Sequence, residues 1–371
     1  MQEQMIMDKK YWVWLHGVPG IGAGRFHLLL KRFGSPKEVY DATDQEIRST
    51  EKLIGQKAMH ELILAKRGQA LELAENACHA KAYSILTIRD ADYPPLLKMI
   101  PVPPPLLYRK GILPDARRPA LAIVGSRHST AYGCEMARKL AGEMADLGIT
   151  VVSGLARGID GMAHWGALDH DGYTLGVLGC GIDIVYPREN EELYKKMAAT
   201  GGIISEYPPG MQPLAGFFPV RNRIISGISD GVLVVEAGRK SGALITVDHA
   251  LEQGREVFAL PGNIDSPTSA GTNHIIQQGA HMVTSARDIV EVMGWSYKKE
   301  KAQKPQEKPL LPPLDFFEMQ VYNALADGKK YYDEVLYLTE MEPGRLNTVL
   351  SMMEIKGIIR QLPGQLFIRE Y

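Results

Sequence analysis

The sequence predicts an α/β protein built on a parallel sheet with helices on both faces, flanked by two smaller blocks. Three observations predict it. Seven short apolar runs follow one another: LAIVG from Leu121, ITVVSG from Ile149, TLGVLG from Thr174, GIISEY from Gly202, VLVVEA from Val232, EVFALPG from Glu256 and HMVT from His281. Amphipathic stretches separate them, among them Ala131 to Gly148 and Gly242 to Gly254. Strands nearly continuous in Val, Ile and Leu, each followed by a helix, are buried on both faces, as in a parallel sheet. The third observation is a charged, proline-rich stretch, Lys298 to Pro313, that suits a solvated tether and sets the last block apart.

At 371 residues the chain exceeds what one hydrophobic core usually serves. A softer boundary lies at Tyr93 to Arg118, where recurring proline cannot sustain a helix. The expected domains are therefore 1–90, 118–295 and 315–371. A hydrophobic fraction of 45% and a charged fraction of 23% exclude a mostly disordered chain. No apolar run reaches the roughly 18 residues of a membrane span, and MQEQMIMDKKYWVW does not read as a signal peptide, so a cytoplasmic location is expected. Cys78, Cys134 and Cys180 show no metal-binding spacing and are expected to be buried apolar residues.

Net charge is −1, unevenly spread. Residues 1–118 carry +5 and residues 119–294 carry −6. No segment is basic enough for indiscriminate adhesion to nucleic acid. Yet seven of the thirteen basic residues in the acidic middle block follow strand ends: Arg127, Arg157, Arg188, Arg221, Arg223, Arg239 and Lys240. Parallel sheets bind ligands at the carboxyl ends of their strands. GSRHST, GLARGIDG and GRKSGALIT each join glycine, arginine or lysine and a helix start, the ingredients of a phosphate site. Tyr186, Tyr207, Phe217 and Phe218 lie beside these cations and could stack a base. Taken singly, each feature has a plainer reading. Glycine after a strand is common, Phe217 and Phe218 could be core or lid residues, and Asp160 and Asp183 could cap helices. Repetition at five loops favours the ligand site.

Competing motifs are missing. The sequence has no G-x-x-x-x-G-K-[ST] and no G-x-G-x-x-G after the first strand, and its Ser, His and Asp are not arranged as a nucleophile elbow, since GISDG at Gly227–Gly231 precedes an apolar run instead of following one. His164, His249 and His274 are scattered and are expected on helix surfaces or in packing rather than on a metal.

The blocks IVGSRHST, VVSGLARGIDGMAHWGAL, VLGCGIDIVYPREN, SEYPPG, FPVRNRIISGISDGVLVVEAG, SGALITVDHAL, VFALPG and GTNHIIQQGA, in that order, resemble the DNA-processing protein A family (DprA/Smf). The resemblance implies a Rossmann-like sheet that binds single-stranded DNA, protects incoming strands in natural transformation, loads the recombinase RecA, displaces single-strand-binding protein and forms a homodimer. It implies no catalysis, metal or cofactor. By matching motifs, Gly125, Ser126 and Arg127 would hold one phosphate and Arg188 another. Phe218 would contact a base, with Arg221 and Asn222 completing the pocket. Arg157, Arg239 and Lys240 join this candidate site as rim cations. A lysine frequent in the family three residues before the aromatic is Ala215 here.

The first block carries HGVPGIGAGRF from His16, a glycine-rich turn before an amphipathic helix. It resembles a helix–hairpin–helix that meets DNA phosphates, or a sterile-alpha-motif-type protein contact; Arg25 and Lys31 have the plainer reading of solvated surface. The last block reads as a winged helix ending in a hairpin that turns at Pro363-Gly364. Its net charge of −3 favours contact with protein over duplex DNA. The rival to a non-catalytic binder is a LOG-like nucleotide phosphoribohydrolase. EAGRKSGALIT lacks the paired glycines and downstream glutamate which that family's P-G-G-x-G-T-x-x-E requires.

Overall fold

The computed structural model describes residues 2–80, 82–115, 117–295, 314–326, 328–362 and 364–369. The Lys298 to Pro313 tether and Pro363 lie outside the described residues. The chain forms two compact units, Met1–Glu300 and Lys301–Tyr371.

All seven apolar runs form strands: β3 (Ala120–Val124), β4 (Thr150–Ser153), β5 (Thr174–Leu178), β6 (Gly202–Ser205), β7 (Gly231–Val234), β8 (Glu256–Ala259) and β9 (His281–Met282). They pair in parallel in the order β6-β5-β4-β3-β7-β8-β9. Alternate residues serve opposite faces, which is why both had to be apolar. Leu121, Ile123 and Val151 pack with Leu140 and Met144 of the helix Ala131–Asp146. Ala122, Val124 and Val152 pack on the other face with Ile224, Ile225 and Val247.

Two further strands extend the β6 edge. β1 (Ser84–Thr87) and β2 (Leu106–Gly111) form an antiparallel pair, and β2 pairs antiparallel with β6. The stretch Tyr93 to Arg118 is therefore not only a boundary: its LLYRKG supplies an edge strand to the sheet. The N-terminal helices share a core with this edge. Trp14, Leu15 and Phe26 belong to one cluster with Tyr108, Ile203 and Leu193. In the glycine-rich turn Ile21 is buried, and Arg25 Nη1 donates to Gly20 O at 2.8 Å. Arg25 is thus engaged in closing the turn. Of the cysteines, Cys180 alone is fully buried; Cys78 and Cys134 are half-buried.

The sheet order reverses at the β3/β7 junction. β3 leads outward to β4 on one side, whereas β7, its neighbour on the other, is reached only after β6. Such a reversal leaves a crevice at the carboxyl ends of the two strands. Val124 and Val234 end there.

The second unit has three helices, Phe316–Ala324, Tyr332–Thr339 and Pro343–Ile355, and a sheet of β10 (Lys330–Tyr331), β12 (Leu366–Arg369) and β11 (Ile359–Leu362). Val321, Val335, Leu346, Leu350 and Phe367 form its core. Asp315 and Glu318 make a reciprocal cap that starts the first helix. On the third helix the guanidinium of Arg345 lies 4.3 Å from the ring of Phe317.

Candidate nucleic-acid interface

A half-open cavity of about 750 Å³ occupies the β3/β7 crevice. Three elements wall it: the turn after β3, the helix Phe217–Ile228 and the start of the helix Ala243–Glu252. Phe218, Asn222 and Ile225 line it from successive turns of one helix face. Phe218 also borders a smaller hollow of about 50 Å³ whose walls include Arg127, Arg157 and Tyr186. The ring is therefore a partition between two openings.

Phe218 sits among cations and aromatics. Arg127 lies over it at 4.7 Å, Arg221 at 5.9 Å, and the Tyr186 ring centre is 5.6 Å away. Gly179 permits this seat: a Cβ there would stand 2.8 Å from Phe218 Cδ1. Charge and a flat apolar surface thus come as one unit, able to meet a phosphate and a base together. Phe217 faces elsewhere and stacks on Tyr207 at 4.3 Å.

The seven rim cations divide into three kinds. Arg221 is 3% exposed and donates through Nη1 to Gly154 O at 2.9 Å and to Val177 O. Burial pushes it down to about 10, with Asp160 opposing. Burial raises Asp160 against the pull of Arg221, and its carboxylate accepts from Gly154 N at 3.1 Å. Arg221 is thus a structural brace beneath Phe218. Arg157 and Arg223 are neutralised by partners. Arg157 Nε donates to Glu189 Oε1 at 2.7 Å, and Arg223 Nη2 donates to both carboxylate oxygens of the buried Glu206 at 2.6 Å. Arg127, Arg188, Arg239 and Lys240 are exposed and form no ion pair with any described residue. Arg127 and Lys240 line the main cavity; Arg188 and Arg239 lie outside its lining.

In the first turn some backbone donors are already engaged. Ser126 N–H is occupied, donating to Glu236 O at 2.8 Å. Gly125 serves close packing: a Cβ there would lie 2.6 Å from Ile159 Cγ1. The helix start after β3 is also filled, because Glu236 accepts from Thr130 N at 2.9 Å and from Thr130 Oγ1 at 2.5 Å. An acid already answers that helix dipole. The turn offers a phosphate the exposed Arg127 guanidinium and the Ser126 hydroxyl, whose oxygen also accepts from His128 N at 3.1 Å. Asn222 Nδ2 reaches Gly242 O at 3.4 Å and lines the cavity between the two helices. Ala215, where a lysine was expected, lines it without charge.

Sequence reasoning passed over Thr246, Pro267 and Thr268, which also line the cavity. Thr246 sits inside an apolar helix pattern and Pro267-Thr268 follow β8 at a distance, so neither carries a local signal. Among the described residues no helix is long and apolar enough to cross a membrane.

A family model described as DNA recombination-mediator protein A matches residues 84–294. Protein Smf of Synechocystis sp. is 33% identical over 98% of this chain and 99% of its own length. Among solved structures, DNA processing protein A (DprA) from Streptococcus pneumoniae superposes with a TM-score of 0.66 at 33% identity, covering 76% of this chain and 97% of that one. DNA processing protein A from Helicobacter pylori, described for its single-stranded DNA binding mode, gives 0.51 at 30% identity, covering 58% and 96%. With its parallel sheet, switch-point cavity and matched span, the chain belongs to the DNA recombination-mediator protein A family, whose members are named DprA and Smf.

Proposed function

We propose that this protein binds single-stranded DNA at the mouth of the switch-point cavity, without breaking a bond, and acts as a recombination mediator. One observation carries the reading: Arg127 and Lys240, exposed and without ion partners among the described residues, line the cavity together with Phe218, and Arg127 lies over its ring. Phosphates of an unpaired strand would meet Arg127, Lys240, Arg188 and Arg239, and a base would stack at Phe218. Arg221 and Asn222 hold the ring's helix in place. The description of the Helicobacter pylori relative supports the choice of ligand.

In this reading the protein is cytoplasmic and non-catalytic, and it acts as a homodimer. It protects incoming strands in natural transformation, displaces single-strand-binding protein and loads RecA. Residues 1–90 act as a helix–hairpin–helix or sterile-alpha-motif-like domain, 118–295 as the DNA-binding domain and 315–371 as a winged helix suited to protein contact. The direct test follows RecA nucleation on strands precoated with single-strand-binding protein. Faster nucleation with this protein is expected; an unchanged rate removes the mediator role. Release of adenine from AMP by the purified chain would overturn the non-catalytic reading.

A further inference from the structure

The helices that follow the strand ends do not all start alike. Glu236 occupies the start of Ala131–Asp146, and Asp160 lies in the first turn of Ile159–Asp169. Ala243–Glu252, like Phe217–Ile228, has no acid in its first turn and no side-chain hydrogen bond from its N-cap, Gly242; the Ser241 hydroxyl accepts from Ala243 N at 3.3 Å. The partial positive charge of Ala243–Glu252 faces the cavity with no acid against it. Lys240, exposed and without an ion partner among the described residues, stands just before it.

A second observation is independent of the helix start. Thr246, one turn along, is 1% exposed and lines the same cavity, and its hydroxyl has no hydrogen-bond partner. A buried hydroxyl left unmatched is costly and is normally satisfied. An oxygen-rich ligand at the helix start supplies the missing acceptor.

We propose that the start of helix Ala243–Glu252, with Lys240, Ser241 and Thr246, is a seat for a phosphomonoester on a nucleotide. The proposal rests on the reading of this cavity as a nucleotide site, and it goes further by distinguishing one phosphate from the rest. An internal phosphate of a strand carries a single charge, whereas a monoester carries close to two near neutral pH. A helix start beside a lysine rewards the second charge. Gly238, Pro267 and Thr268 also line the cavity, and Phe218 gives the base its surface. The cavity volume of about 750 Å³ suits one nucleotide. Two sources carry this chemistry, the phosphorylated end of a strand and a free mononucleotide.

The test titrates the full chain with labelled oligo-dT of about 12 nucleotides bearing a 5′-phosphate, a 3′-phosphate or hydroxyls at both ends. Unlabelled dTMP and inorganic phosphate serve as competitors. One phosphorylated end is expected to bind roughly five-fold tighter than the hydroxyl-ended strand, the scale of a helix-terminus charge contact. dTMP should erase the difference, which assigns the seat to strand ends. Competition by dTMP with no preference among ends assigns it to free mononucleotide. T246V, which removes only the unmatched hydroxyl, should bring the ratio of phosphorylated to hydroxyl-ended affinity towards one without lowering Tm. Equal affinity for all three strands, together with no competition by dTMP, overturns the proposal and leaves strand binding standing. If no strand binds, the proposed function itself fails, and amide shifts of Gly242 and Ala243 with dTMP still decide whether the seat exists.

Discussion

The division of rim cations into free, paired and buried makes a quantitative statement about salt. Each phosphate neutralised on a single strand contributes about −0.7 to the slope of log affinity against log salt. Four free charges, Arg127, Arg188, Arg239 and Lys240, predict a slope of about −2.8. If all seven rim cations took part the slope would approach about −5. The gap arises because Arg157 spends its charge on Glu189, Arg223 on Glu206, and Arg221 on the interior. Fluorescence anisotropy of labelled oligo-dT over a range of salt reads the slope directly. R127A should flatten it by about 0.7 and weaken binding alike for every sequence, because a phosphate contact carries no base information. R223A should leave the slope within error of the parent. A parent slope near −5, or an R127A slope equal to the parent's, refutes the division.

Three other consequences can be checked. E189Q should free Arg157, steepen the slope by about 0.7 and tighten binding at low salt; an unchanged slope would show that Arg157 does not reach the strand. R221A should strand the buried Asp160 and cost about 3–5 kcal/mol in denaturant unfolding, whereas R127A, being exposed, should cost little. Equal stability of the two variants would contradict the brace role of Arg221. Acid should destabilise the fold through the buried His164 and the half-buried His16. Burial lowers His164 to about 3 and His16 to about 4, from about 6.5 in the unfolded chain. Above that value both stay neutral in both states and stability is flat with pH. Below it the unfolded chain takes up protons that the folded chain refuses, so stability falls by about 1.4 kcal/mol per pH unit for each histidine until the folded values are reached. Unfolding midpoints at pH 7 and pH 5 should show a smaller loss for H164Q; an identical loss would exclude His164 as a source.

Much of this architecture is written locally. Most of the core strands are legible because they are continuous apolar runs buried on both faces; β9, at the sheet edge, is two residues long and partly exposed. β1 and β2 are not, since LLYRKG lies among prolines and becomes a strand only by pairing with β6. The same boundary runs through the site. Phe218, Arg127 and Lys240 are legible from residue type beside a strand end or at the start of a helix. The cancellation of Arg157 by Glu189 and of Arg223 by Glu206 is not, because the partners stand 32 and 17 residues apart. Nor is the burial of Arg221, since an arginine reads as exposed until the carbonyls that hold it come together from two strands. Thr246 shows no polar signal in an otherwise apolar helix face.

The central claim is that an unpaired strand passes over Phe218 at the β3/β7 crevice. Photocrosslinking of an oligonucleotide carrying a halogenated pyrimidine, followed by mass spectrometry of the adducts, tests it most directly. Adducts on Phe218 or Tyr186 are the predicted result, reduced by R127A. Adducts confined to the second unit, with the crevice unmarked, would contradict it.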